Sequence, residues 1–325
     1  MGGYRYPSSR LRLYKFIPLF RNDTTIDTYI FKYPKIINKE ILKNNLVFLL
    51  KFLSYDIVWI QKRMLPIALL KLFKLFGKKI IYDYDDDIRF NSDGTISINI
   101  RQFYLTLQSA DRIFVGSPYL RSTIHDYAHK TSIIPTSVDI DKSVKKKKHG
   151  QTKQIVIGWI GTKDNLKHLS LVEEALNHIS NKYMGSVSLL ICSNANYQHP
   201  IMKTVNVEWS ITQEADVLDL IDIGIMPLSG GEWEKGKAGF KMLLYMSKNI
   251  PVIVSGVGVN KIIIDHGVNG FIADSTEEWI KSLSSLLDEN ELRSKLAQNG
   301  YEFVKKSYST ESVFKQIEMH IDSIL

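Results

Sequence analysis

The chain has 325 residues, 44% of them hydrophobic and 23% charged, with a formal net charge of +8; this length exceeds one small core and fits two domains of about 150 residues each. No apolar run approaches the roughly 18–20 residues that cross a bilayer, and Met1-Gly2-Gly3-Tyr4-Arg5-Tyr6 opens neither a signal peptide nor a myristoylation site, so a cytoplasmic protein is expected. The single cysteine, Cys192, excludes an intramolecular disulfide and, inside the apolar run 187–192, reads as a small buried residue.

Apolar β-rich runs alternate with helical periods from end to end, the pattern of parallel sheets covered by helices on both faces. The first half predicts helix 9–20, strand 25–31, helix 39–53, strand 56–61, helix 66–76 and strand 79–83. Helix 98–110, strand 112–116, helix 118–127 and strand 132–135 follow. The strand that should open such a domain is missing, so either the start is truncated or misassigned, or the fold variant dispenses with it.

Around 139–153 the pattern breaks into Lys145-Lys146-Lys147-Lys148-His149-Gly150, a like-charge run that repels itself and packs nothing. The second half restarts with strand 154–160, helix 166–180, strands 187–192 and 205–209, helix 214–220 and strand 221–227. A glycine turn then opens a helix near 236, followed by strand 251–255 and helices 260–266, 276–288, 291–306 and 310–325. The expected division is residues 1–140, a linker 141–153, and residues 154–325, with the last helix packing back on the first domain. Two α/β domains of this kind place a ligand in the cleft between them, at the carboxyl ends of the strands.

The positive charge is confined to one half. Residues 1–138 carry 21 Lys+Arg against 11 Asp+Glu, and residues 139–325 carry 21 against 23. A basic first half suggests an anionic partner. Its lysines are interleaved with leucine and phenylalanine at 41–53 and 65–79, a composition that favours a membrane surface over nucleic acid; the alternative is two ordinary sheet-covering helices with solvated lysines.

The most informative stretch is Gly236-Lys237-Ala238-Gly239-Phe240-Lys241-Met242-Leu243-Leu244-Tyr245-Met246. A helix N-terminus offers unpaired N–H donors and about half a positive charge, and glycine lets a ligand approach the backbone closely. Lys237 and Lys241, at i and i+4, are expected on one helical face. A second glycine loop, Gly158-Trp159-Ile160-Gly161-Thr162-Lys163-Asp164-Asn165, follows a strand in the same way, and Lys163 or Lys167 is placed to approach from it. Point-charge ammonium groups at such loops suit a phosphate and remove the need for a divalent metal.

Together with Pro251-Val252-Ile253-Val254-Ser255-Gly256-Val257-Gly258-Val259-Asn260, these loops resemble the donor half of retaining glycosyltransferases of the GT-B fold, family 4, in a branch reading approximately G-K-x-x-F-K-x-L-x-Y-M. The resemblance covers 155–271 and, more loosely, 7–139, where Tyr6-Pro7-Ser8-Ser9-Arg10-Leu11-Arg12 and Ile134-Pro135-Thr136-Ser137-Val138-Asp139 are similar to segments of the same branch. It implies an α/β fold of two Rossmann-like domains facing each other across a cleft. It also implies transfer of a sugar from a UDP- or GDP-sugar to a glycan or lipid-linked acceptor in cell-envelope polysaccharide synthesis, with retention and without a metal or other cofactor. Donor-binding residues would be Gly161, Thr162, Lys163, Lys167, Gly236, Gly239, Phe240 and Gly258, with Lys237 and Lys241 stabilising the leaving diphosphate.

Two features depart from simple agreement. Many family members carry two glutamates eight residues apart where this chain has Gly236 and Leu244, which opens the alternative of an inactive GT-B-fold protein acting as a membrane-docking or partner-supporting module; Glu232 and Glu234 are candidate replacements for the sugar-facing acid. The run Tyr82-Asp83-Tyr84-Asp85-Asp86-Asp87 reads in isolation as the D-x-D that holds a metal and nucleotide sugar in the GT-A fold. Its place in the first domain assigns Asp85 to active-site electrostatics and Asp83 and Asp86, with Arg10, to the acceptor side, a helix N-cap at Asp86 or Asp87 being the plainer alternative.

Overall fold

The computed structural model describes residues 6–21, 24–28, 51–91, 95–96, 99–140 and 154–325. The chain divides into two compact units, Met1–Ser137 with Thr310–Leu325, and Val138–Ser309. The helix Thr310–Asp322 thus belongs with the first unit, and the first residues after Ser137 belong with the second.

The first unit holds a parallel sheet of β1 (Ile57–Gln61), β2 (Lys79–Tyr84), β3 (Arg112–Val115) and β4 (Thr131–Ile133) in that order. Side chains alternate across a strand, and β2 shows the consequence: Ile80, Tyr82 and Tyr84 enter one core with Phe73 and Phe103 from helices Ile67–Leu75 and Ile100–Ser109. Ile81 faces the other way, into a second core with Phe16, Phe114 and Val313, Phe314 and Ile317 of the last helix. Asp83 follows Ile81 by two residues and shares its face, and that decides its role below.

The second unit is a six-stranded parallel sheet, β5 (Ile155–Ile160), β6 (Val187–Ser193), β7 (Thr204–Glu208), β8 (Ile223–Met226), β9 (Val252–Val254) and β10 (Phe271–Ile272), in the order β10-β9-β8-β5-β6-β7. The chain runs outward from β5 through β6 and β7, then returns to lay β8 on the other side of β5. In open parallel sheets ligands bind outside the carboxyl ends of the strands at such a reversal. Here that point is flanked by Gly161, which follows β5, and by the segment 227–231, which follows β8. One face of the sheet packs on Met242, Leu243, Tyr245 and Met246 of helix Phe240–Ser247. The other packs on Leu176 and Ile179 of helix Glu173–Lys182 and on Trp279, Leu283 and Leu286 of helix Thr276–Asp288.

Several expected elements differ. The helix expected over 9–20 is one turn, Pro7–Ser9, then a π-helical Arg10–Tyr14 and a 3₁₀ turn Ile17–Leu19, since Pro18 lacks the N–H that a continuous helix needs. Residues 24–28 form no strand; they are mostly exposed, and Asp27 instead takes Lys51 and Tyr55 as partners. The remainder of that expected strand, the helix over 39–50 and the linker 141–153 lie outside the described residues. The helix expected over 118–127 stops at Ser122, and the chain continues as a 3₁₀ stretch His125–Lys130. After Gly161 comes a 3₁₀ stretch, Lys163–Val172, before helix Glu173–Lys182, so no α-helix N-terminus is aimed from this loop.

Candidate functional site

Of the four buried residues that pack helix Phe240–Ser247 on the sheet, Tyr245 also hydrogen-bonds to it. The Tyr245 hydroxyl accepts the Ile160 N–H at 2.9 Å at the end of β5, and its ring lies where a side chain on Gly224 of β8 would stand, 2.5 Å from the ideal Cβ. One helical turn earlier, on the same face, Lys241 is carried over the end of β5. Its Nζ lies 2.6 Å from the position of a Cβ on Gly161 and 4.1 Å from the centroid of the Trp159 ring. Gly161 is therefore a glycine because the Lys241 ammonium and the Trp159 ring fill the space of its missing side chain.

The helix begins at Gly239, whose φ of 68° is the left-handed conformation that glycine adopts without strain. A side chain there would also meet Val259 at 2.9 Å. Lys237 consequently precedes the helix instead of sharing a face with Lys241, correcting the i, i+4 expectation. The two lysines converge all the same, because Lys237 turns back to place its Nζ 3.4 Å from the ring centroid of Trp233, and Lys167 approaches that ring at 5.8 Å. Trp233 thereby joins the 3₁₀ stretch after Gly161 to the segment leading into helix Phe240–Ser247.

The electrostatics follow from this crowding. Burial, then repulsion from Lys237, push Lys241 down to about 7. Among the described residues no carboxylate pairs with it. Beneath the lysines, His168 and Glu234 are both buried, His168 Nε2 lying 3.5 Å from Glu234 Oε1. Burial, opposed by Glu234 and reinforced by Lys237, Lys167 and Lys241, pushes His168 down to about 4, so the imidazole is neutral near pH 7. Glu232, the other candidate acid, pairs with Lys235 at 2.5 Å and is exposed. Three lysine ammonium groups are thus gathered around one buried glutamate, a charge balance that suits an anion.

The other expected donor residues have plainer places. Thr162 and Lys163 are exposed, and the Lys163 N–H donates to Asn194 Oδ1 at 2.8 Å. Gly236 closes the short helix Glu232–Lys235 with ordinary φ, and Phe240 packs on the core. Gly258 has φ 55°, and a side chain there would meet the Lys235 carbonyl oxygen at 2.6 Å, so this glycine lets the 256–258 turn seat against that helix. Leu244 also packs on the core.

In the first unit the aspartate run is spent on internal cations. Asp83 is fully buried and accepts from Arg12 Nε at 3.0 Å and from an Arg12 terminal nitrogen at 2.6 Å, while the other terminal nitrogen donates to the Ile134 carbonyl at 2.7 Å. Lys62 pairs with Asp85 at 2.5 Å and Asp86 at 2.6 Å and donates to Ser8 Oγ at 2.7 Å. Burial works against the Lys62 charge, but Asp85 and Asp86 outweigh it and raise its pKa. Asp87 holds Arg89 at 2.6 Å. Of the residues expected on the acceptor side, Asp83 and Arg10 are buried, and Asp85, expected to act electrostatically, is paired with Lys62. Asp86 alone keeps an accessible side chain, 44% exposed.

Sequence reasoning missed Trp159, Trp233, Tyr245 and Gly224. The signal was present in part, since both tryptophans lie within two residues of a flagged glycine or glutamate, but bulky aromatics in apolar runs read as core.

Residues 154–289 match the family described as Glycosyl transferases group 1. No curated protein matches the chain in sequence. Among solved structures it is similar to Anabaena Alr3699/HepE in complex with UDP, with a TM-score of 0.65 at 14% identity over 86% of this chain and 81% of that one. It is similar to sucrose-phosphate synthase from Thermosynechococcus elongatus, with a TM-score of 0.65 at 12% identity over 88% and 77% of the two chains. A glycosyltransferase from Rickettsia africae gives a TM-score of 0.66 at 15% identity over 90% and 84%. With two parallel-sheet α/β units and a group 1 match over the unit that carries the lysine cluster, the chain is a glycosyltransferase with the GT-B fold.

Proposed function

We propose that the chain moves a sugar from a UDP- or GDP-sugar to a glycan or lipid-linked acceptor in cell-envelope polysaccharide synthesis, with retention at the anomeric carbon and without a metal. The observation that carries the donor assignment is the Lys241 ammonium seated over Gly161 with Lys237 and Lys167 gathered at Trp233. As the glycosidic bond breaks, a nucleoside diphosphate gathers two to three negative charges, against about half a positive charge from a helix terminus. Three lysines at one sheet reversal match that charge. The Alr3699/HepE structure holding UDP supports a uridine nucleotide.

In the retaining reaction the acceptor hydroxyl oxygen bonds to the anomeric carbon on the face the diphosphate leaves. The bond from that carbon to the phosphate oxygen breaks, and a diphosphate oxygen takes the hydroxyl proton. Retention rests on the resemblance of the 236–246 motif. Metal independence rests on the lysines, and the activity is expected to survive excess EDTA; activity lost to chelator and restored by Mn²⁺ would overturn it.

Attachment to an anionic membrane surface is proposed for the first unit. Leu53, Leu75 and Phe76 are exposed, Leu75 by 79%, and the Lys78 ammonium donates to the Leu53 carbonyl at 2.7 Å beside them. Apolar side chains among lysines suit the headgroup region of an anionic leaflet.

A thermal-shift comparison of UDP and GDP tests the donor site. One of them should raise the melting temperature of the wild-type protein and not of Lys241→Met. Equal stabilisation of both proteins would remove the site. Leu244, packed on the core where many family members place an acid, favours a second reading in which the nucleotide binds without turnover; release of free sugar from a bound UDP- or GDP-sugar separates the two.

A further inference from the structure

We infer that Trp233 and Trp159 are positioning residues, holding the ammonium groups of Lys237 and Lys241 in the anion site by their ring faces. The inference rests on the donor site proposed above and adds two side chains that the nucleotide itself need not touch. Lys237 Nζ lies 3.4 Å and Lys241 Nζ 4.1 Å from the respective ring centroids, both well inside the roughly 6 Å over which a ring quadrupole attracts a cation. The choice of partner matters chemically. For Lys241 a carboxylate would hold the ammonium group equally well but would cancel the charge that a diphosphate needs, whereas a ring face attracts a cation and leaves its net charge intact.

The surroundings give each ring a fixed seat. Trp159 is fully buried on β5 among Leu169, Val172 and Trp279, so its six-membered ring is a rigid floor under Gly161 and Lys241. Trp233 projects from the four-residue helix Glu232–Lys235, which is pinned at one end where the Gly258 turn meets the Lys235 carbonyl and at its centre by Glu234 against His168. Lys167 approaches the same Trp233 ring from the other loop. Removing the ring would take away the surface on which Lys237 and Lys167 meet and loosen the junction of the two loops, without deleting any charge.

Calorimetric titration of wild type, Trp233→Leu and Trp233→Phe with UDP, GDP and inorganic pyrophosphate tests this. Cation–π contacts of this kind correspond to a loss of about threefold to thirtyfold in affinity. Trp233→Leu should show that loss for the binding nucleotide and for pyrophosphate alike, Trp233→Phe should restore most of it, and in a Lys237→Ala background Trp233→Leu should cost little more. Three results would overturn the inference: wild-type affinity in Trp233→Leu, a loss for nucleotide but not pyrophosphate, which marks stacking on the base or sugar, or a full additional loss in the Lys237→Ala background. If the wild-type protein binds none of the three probes, the donor site itself fails and the inference with it; if it binds and the tryptophan is silent, only the inference fails. Trp159→Phe paired with Lys241→Met gives the second cycle, read beside its urea midpoint because Trp159 is a core residue.

Discussion

Lys241 Nζ occupies the space that a side chain on Gly161 would need, 2.6 Å from the ideal Cβ position, with the edge of the Trp159 ring also at 2.6 Å. Gly161→Ala therefore has two separable costs. The buried ring cannot retreat, so over-packing should destabilise the protein by about 1–3 kcal/mol. The lysine can retreat, and in doing so leaves the anion site. Urea unfolding should show the first effect and calorimetry a loss of nucleoside-diphosphate affinity of about tenfold or more. Unchanged affinity in a folded Gly161→Ala protein would contradict the position of the ammonium.

Lys241, pushed down to about 7 by burial and by Lys237, should make binding at the proposed donor site pH-dependent. A diphosphate needs the ammonium form, so affinity for a UDP- or GDP-sugar, whose phosphates stay ionised throughout, should fall as pH rises above about 7 and binding should take up a proton. Lys241→Met should bind weakly at every pH with no uptake. His168, at about 4, does not titrate in this window. Stability carries the opposite sign. The folded pKa lies below the unfolded value of 10.5, so between about 7 and 10.5 the unfolded chain binds more protons and this group's contribution rises with pH.

Arg12 and Asp83 form a buried pair, and the test of its structural role is asymmetric. Arg12→Met leaves the Asp83 carboxyl buried without its partner and should cost about 3–5 kcal/mol in urea unfolding. The double variant Arg12→Met/Asp83→Leu should recover most of that loss, since replacing both charges by apolar groups removes the desolvation cost. Equal destabilisation by the single and double variants would mean that the pair does not neutralise itself inside the first unit.

Neutralising Lys71, Lys74, Lys78 and Lys79 together should abolish co-sedimentation with anionic liposomes at low salt, and binding of the parent should release as ionic strength rises. Each basic residue near such a surface contributes about 1 kcal/mol, so four suffice to decide attachment. Lys74 pairs with Asp111 at 2.5 Å in the free protein and is the least available of the four. Undiminished binding by the quadruple variant would reduce these lysines to a solvated surface.

The parallel α/β architecture was legible because it is written in local periodicity. β2 alternates between its two cores residue by residue, and helices Glu214–Leu220 and Thr276–Asp288 have the bounds that their apolar spacing predicts. Gly161, Lys237 and Lys241 were legible as candidates too, because glycine beside lysine after a strand is a local pattern. The sequence could not determine which groups these residues meet. Lys237 leaves the helix because Gly239 adopts the left-handed conformation, and it lies on Trp233 while Lys241 lies on Trp159. Asp83 reads as a ligand in its acidic run, yet strand alternation turns it onto the face of Ile81, where Arg12, 71 residues earlier, takes its charge. A run of aspartates fixes how much charge is present; only the fold, by bringing distant cations to it, decides how much of that charge is left to act on a ligand.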